Sequence, residues 1–167
     1  IVMEVDTGRI VAMASYPDYD PEVWVGGVTN RQYKRLASEK ARYPLINRAI
    51  AGEYAPASTF KIVSTVAGVA AGNSLYGTYE CPGYLDIAGR TFNNYESQPQ
   101  GYVSFKKGLE VSCDTMFYRM AYNQWLREGG YELEPGQREI WAETARGFGY
   151  GKQTGVDLPG EQDGRIP

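Results

Sequence analysis

Lys61 is the one charged side chain in an otherwise apolar run, with Phe60, Ile62, Val63, Val66, Ala67, Val69 and Ala70 around it. These positions cover nearly the whole circumference of a helix predicted over Thr59 to Ala71, stopped by Gly72 and Asn73. A short helix apolar all round belongs in the middle of a domain. Burial disfavours the charged form of an amine, and a neutral amine is a usable base near neutral pH. Ser58 lies three residues before Lys61, one turn away on the same face. A serine at a helix N-terminus also sits near backbone N–H groups that favour a developing oxyanion. Serine, lysine and helix start together form a nucleophile-activation unit.

The plainer reading is that Ser58 only caps the helix and Lys61 extends to the surface. A Ser-x-x-Lys match arises by chance about once in a chain of this size, and a second one runs from Ser104 to Lys107. That copy opens a polar segment and reads as a cap followed by solvated lysines. Ser112-Cys113-Asp114 is a further polar cluster at a predicted helix start. It could face Ser58 and Lys61 across a cleft, or could merely cap its own helix. The residues alone leave both pairs of alternatives open.

Composition narrows the chemistry. The 167 residues contain no histidine, which removes Ser-His-Asp and Cys-His sites and histidine-based zinc. A net charge of -3 argues against nucleic-acid binding. Neither a metal nor an organic cofactor is expected. Cys81 and Cys113 form no CxxC. A cross-link between them is possible in an oxidising compartment, but Cys113 lies between Ser112 and Asp114, where a bond would constrain the cleft, so no disulfide is expected. No segment has the length and apolarity of a membrane span; the longest apolar stretch, Ile62 to Ala71, is interrupted by Ser64, Thr65 and Gly68.

The elements that must position these residues follow from the local pattern. Ile1 to Val5 and Ile10 to Ala14, separated by Asp6-Thr7-Gly8-Arg9, predict a β-hairpin. Tyr16 to Pro21 reads as a loop, because its prolines forbid regular pairing. Asn30 to Lys40 reads as a surface helix, and Tyr76 to Tyr102 as short strands and loops. Further helices are predicted over Thr115 to Leu126 and Gln137 to Arg146, followed by a Gly- and Pro-rich tail from Gly147.

Four segments, in order, resemble class B penicillin-binding proteins: Asp6 to Pro17 followed by Tyr19-Asp20-Pro21; Asn47-Arg48-Ala49 with Tyr54 to Lys61; Ser112 to Thr115 with Phe117-Tyr118; and Gly147 to Gly151 with Thr154 to Glu161. The Ser-Cys-Asp form is similar to that of actinobacterial elongation-type members. The resemblance implies an α+β fold, part of the transpeptidase fold shared with serine β-lactamases, an antiparallel sheet with helices. It implies that Ser58 is acylated, that Lys61 is the general base, that Ser112 shuttles protons to the leaving group, and that Asp114 holds the substrate amide and the lysine. Asp114 stands where most relatives carry Asn. An ionised Asp only accepts hydrogen bonds, and beside Lys61 it favours the charged amine and opposes its role as a base. Ala57 stands where glycine is usual.

The family's third motif, a Lys-Thr-Gly strand, does not occur in the 167 residues; Lys152 to Gly155 has an inserted residue and sits in a loop. The chain is therefore expected to be the front part of one transpeptidase domain, with its hairpin disordered, paired with another chain or completed by one. Lacking half of the oxyanion hole, it should be inactive by itself. The parent is expected to cross-link peptidoglycan through the D-Ala-D-Ala ends of stem peptides, and to be acylated by β-lactams. It should work with the cell-wall elongation machinery on the extracytoplasmic face of the membrane, anchored by a preceding segment. A serine β-lactamase or D,D-carboxypeptidase, or a non-catalytic β-lactam sensor or scaffold, is the alternative.

Overall fold

The computed structural model describes residues 1–132, 134 and 139–166, which divide into two compact units. The first unit comprises Ile1–Tyr54 and Lys152–Gly164. Its hairpin pairs β1 (Val2–Met3) antiparallel to β2 (Ile10–Ala12). Glu4 closes the turn by taking the hydroxyl of Thr7 and the guanidinium of Arg9, which holds its carboxyl below the ordinary range. The hairpin is formed, though shorter than its sequence pattern. Its side chains are uncovered: Met3 is 57% exposed, Val5 97% and Val11 62%.

Helix α1 (Asn30–Leu36) is shorter than the stretch predicted to Lys40. A capping box starts it, with Thr29 and Gln32 satisfying each other's backbone N–H groups. Ser38 then leaves the helix and caps a separate 3-10 turn, Glu39–Ala41. A one-turn helix α2 (Arg48–Ala51) is capped by Asn47. The returning tail is tied to it by the Gln162 N–H, which donates to the Ile50 carbonyl at 2.9 Å.

The second unit comprises Ala55–Gly151 with Arg165 and Ile166. A 3-10 turn, Ala57–Phe60, runs directly into α3 (Lys61–Ala70). Strands β3 (Thr78–Cys81) and β6 (Gly101–Ser104) pair antiparallel, and β4 (Tyr84–Ile87) and β5 (Arg90–Asn93) form a hairpin. Both turn residues of that hairpin, Ala88 and Gly89, have positive φ, the backbone twist that two-residue hairpin turns require. Ser104 caps α4 (Phe105–Glu110) by accepting the Lys107 N–H. The Lys107 side chain lies exposed beside Glu110. Thus the second Ser-x-x-Lys match is the plain cap its polar surroundings indicate.

Helix α5 (Asp114–Arg127) supplies a core face, with Met116, Phe117 and Met120 buried against Phe105, Val103, Cys81 and Cys113. Helix α6 is Ile140–Gly147. Gln137 and Arg138, where the pattern places its start, lie outside the described residues. Against α3, Trp141 donates its indole N–H to Ser64, while Gly68 leaves room for Phe105 and Met120.

Two expectations are corrected here. Helix α3 is not enclosed: Val63, Ser64, Ala67 and Gly68 are buried, but Ile62 is 58% exposed, Val66 46% and Val69 38%. Periodicity identifies apolar positions, not the arc that neighbours cover. Second, Cys81 and Cys113 are bonded, with an S–S distance of 2.05 Å. The bond does not cross the cleft. Both cysteines are at most 1% exposed and belong to the core cluster, so the link ties the end of β3 to the start of α5 from the core side. No helix among the described residues is long and apolar enough to cross a membrane.

Candidate active site

The site is built from two chain segments of the second unit. The first is the turn into α3. Ala57 has φ +49°, in the left-handed region that costs a non-glycine residue about 1–2 kcal/mol. Glycine would be unstrained at this position. Ser58 follows in the 3-10 turn and is exposed, while Lys61, first residue of α3, is only 6% exposed. The nucleophile candidate is open to a ligand and its partner amine is withdrawn behind it.

The second segment is the turn between α4 and α5. Ser112 also has positive φ, +52°. Its N–H donates to the Leu109 carbonyl at 3.1 Å, and the Cys113 N–H donates to the Gly108 carbonyl at 2.8 Å. This fold-back turns the Ser112 hydroxyl toward α3. Cys113 is the N-cap of α5, and its sulfur accepts the Met116 N–H. Neither Ser112 nor Asp114 performs the capping that their residue types suggest.

The two segments meet closely. Ser58 Oγ and Ser112 Oγ are 2.9 Å apart. Lys61 Nζ donates to Ser58 Oγ at 3.0 Å, to Ser112 Oγ at 2.7 Å and to the Ser112 carbonyl at 2.9 Å. Asp114 Oδ1 lies 2.6 Å from the same nitrogen. All four residues singled out in the sequence therefore converge on one amine. Lys61 does not extend to the surface: it is buried, and Ser58, Ser112 and Asp114 hold its amine at the site.

Two further residues belong to this neighbourhood, one inside the segment that resembles the family's second motif and one outside every matched segment. Tyr118, one turn along α5 from Asp114, has its phenol raised above the ordinary range, by burial first and by the Asp114 charge second. Asn94, at the end of β5, accepts the N–H groups of Asp114 and Thr115. No sequence signal marks Asn94, because its partners come from distant segments.

Cavities open on either side of Ser58. One of about 780 Å³ is lined by polar groups including Asn93, Glu96, Gln98 and Ser112. The other, about 400 Å³, is lined by Phe60, Phe117, Tyr118 and Trp141. Among the described residues no group of three or more acidic or cysteine side chains is arranged to hold a metal ion.

An exposed serine hydroxyl bonded to a buried lysine, with a second serine bridging them, is an arrangement able to form an ester by acyl transfer without histidine or metal. The chain belongs to the penicillin-binding protein transpeptidase domain family, whose model matches residues 1–167. It is 32% identical to the peptidoglycan D,D-transpeptidase MrdA of Acinetobacter baumannii over 177 aligned positions, covering 100% of this chain and 23% of that protein. The chain thus spans about a quarter of the length of the curated relatives it matches.

Among solved structures it resembles Pseudomonas aeruginosa PBP2 in complex with WCK 5153, with a TM-score of 0.76 and 30% identity over 99% of this chain and 35% of that one. It also resembles penicillin-binding protein A of M. tuberculosis in its penicillin G acyl-enzyme complex, with a TM-score of 0.68 and 28% identity over 94% and 34% of the two chains. A chain from a peptidoglycan synthase complex matches with a TM-score of 0.69 and 27% identity over 92% and 25%. The mixed helix and sheet fold is that of these transpeptidases.

Proposed function

We propose that the protein containing this chain is a peptidoglycan D,D-transpeptidase in which Ser58 is acylated by the D-Ala-D-Ala end of a stem peptide. The observation that carries the reading is the single buried amine within hydrogen-bond distance of both serine hydroxyls. In its neutral form, Lys61 has a lone pair on the line to Ser58 Oγ and takes the hydroxyl proton as the oxygen attacks the peptide carbonyl. The C–N bond to the terminal D-Ala breaks. Its amine receives a proton relayed from Lys61 through Ser112 Oγ, and an ester to Ser58 remains. The amine of a neighbouring stem peptide then attacks the ester, its proton returns along the same path, and the Ser58 hydroxyl is restored.

β-Lactams enter the same first step, with ring opening in place of D-Ala release. The exposure of Ser58 beside two cavities provides room for both acyl donors. Asp114, 2.6 Å from the amine, anchors and orients it. The family's Lys-Thr-Gly strand would supply a second oxyanion donor, worth orders of magnitude in rate. The 167 residues alone should therefore be acylated slowly or not at all.

A disulfide buried in the second unit supports a working place outside the cytoplasm, on the outer face of the membrane. Work beside the elongation machinery fits the similarity to a chain of a peptidoglycan synthase complex. The test is mass spectrometry of the full-length protein after incubation with a labelled penicillin. The adduct is expected on Ser58 and absent from Ser58→Ala; an adduct on Ser104, or none, overturns the reading. Turnover of a D-Ala-D-Ala peptide with an added amine acceptor separates a transpeptidase from a β-lactamase, a carboxypeptidase or a sensor.

A further inference from the structure

We propose that Asn94 is a positioning residue for this acyl-transfer site, acting through the first turn of α5; the inference rests on the reading of Ser58 as the nucleophile. Asn94 is one of the few buried polar residues among those described. Its Oδ1 accepts the N–H of Asp114 and the N–H of Thr115, both at 3.0 Å. Its Nδ2 donates to the Pro82 carbonyl at 2.7 Å and lies 3.5 Å from both the Gln98 carbonyl and the Cys81 sulfur. The Asn94 N–H donates to the Gly83 carbonyl at 3.0 Å. One amide group is thus pinned to the loop after β3 at one end and to the start of α5 at the other.

The first N–H groups of a helix have no partner inside it. In α5 the first two go to Asn94 and the third, that of Met116, goes to Cys113 Sγ. The acceptor for the first turn is therefore delivered by a distant residue of the chain. Asp114, whose N–H it receives, carries the carboxylate that meets Lys61 at 2.6 Å. Two residues earlier, Ser112 supplies the hydroxyl and carbonyl at 2.7 and 2.9 Å from the same nitrogen.

A rotation of this turn about the helix axis would move all three contacts together. The disulfide holds the turn at Cys113, and the Thr115 hydroxyl ties it to the Pro82 carbonyl at 2.7 Å. Asn94 adds the paired contact to the backbone N–H groups of Asp114 and Thr115, which fixes the rotation of the turn at its start. None of Asn94's hydrogen bonds goes to Ser58, Lys61 or the Ser112 hydroxyl, so its route to these groups is the first turn of α5.

The experiment uses the full-length protein, with Ser58→Ala as the blank and active sites titrated. Acylation by a labelled penicillin is followed across concentrations, which separates noncovalent affinity from the acylation step. Asn94→Leu keeps the volume and removes acceptor and donor. It should slow the acylation step by roughly 10- to 100-fold, the scale of a positioning error of about 1 Å, and leave noncovalent affinity within about threefold. Asn94→Asp keeps an oxygen for the two N–H groups but loses the donor to the Pro82 carbonyl, and should acylate faster than the leucine variant while staying below the unaltered protein.

Asn94→Ser, with a shorter acceptor, stands in should the leucine variant fail to fold, and it too should slow the acylation step. Overturning results are leucine or serine variants that acylate at the unaltered rate per active site, or that lose only thermal midpoint. An aspartate variant as slow as leucine is equally fatal. Absence of acylation at Ser58 in the unaltered protein is a different outcome, and overturns the nucleophile assignment itself.

Discussion

Replacing Lys61 by methionine separates the chemical role of the amine from its structural one. The two side chains are of similar length, so the cavity left at the start of α3 is small, while three hydrogen bonds and one ion pair disappear together. The stability cost can be bounded. Opposite charges at the observed 2.6 Å attract by roughly 6 kcal/mol at an effective dielectric of about 20, and desolvation of the amine offsets much of this. Removing one partner of a buried pair costs about 3–5 kcal/mol when the other is stranded without water.

Here Asp114 is not stranded. Its side chain is 21% exposed, and it sits in the first turn of α5, where the helix dipole favours an anion by about 0.3–1 kcal/mol. A loss of roughly 2–3 kcal/mol is therefore expected. The rate effect should be larger, because loss of a general base lowers a rate by about 10²–10⁴-fold, or roughly 3–5 kcal/mol of barrier. The assay is the acylation rate of the full-length protein by a fluorescent penicillin, beside its thermal midpoint. Asp114→Asn is the control, since it removes the charge and keeps the side chain's shape and an acceptor oxygen. It should lower the midpoint yet still be acylated. A Lys61→Met protein acylated within about threefold of the unaltered rate would refute the assignment of the amine as base.

Three further outcomes follow from the same structure. Cys81→Ser should lower stability by about 3–4 kcal/mol, the chain-entropy scale for a loop of 32 residues, with reductant mimicking it and denaturation midpoints as the measure. Ala57→Gly should raise stability by about 0.5 kcal/mol, since relief of the left-handed φ exceeds the added chain entropy of glycine; a drop in midpoint would contradict this. Glu161 is held below its ordinary range, chiefly by the Thr154 hydroxyl and then its N–H, so the loop contact is complete above the normal carboxylate range and is lost as pH falls through the lowered value. NMR shifts of the Thr154 and Gly155 amides should titrate with that low midpoint, and Glu161→Gln should abolish the transition.

What the sequence determined is the local and the chemical. The absence of histidine left lysine, tyrosine or a carboxylate as the candidate base. The apolar run around Lys61 indicated its burial, and the three-residue spacing placed Ser58 one turn away. Turn chemistry at Asp6 to Arg9 and the polar start of Ser104 to Lys107 were likewise legible, because hairpin turns and helix caps depend on neighbours in the chain. The tertiary structure decided what depends on distant segments. Ser112 and Asp114 come to Lys61 only because the chain folds back after α4 and α5 packs on α3. The cysteines bond because β3 ends beside the start of α5, whereas the place of Cys113 between Ser112 and Asp114 argued against it. Asn94 caps a helix far along the chain, and nothing near it could reveal that. Even the covered face of α3 was undecided, since periodicity marks which residues are apolar while neighbours determine which of them leave water.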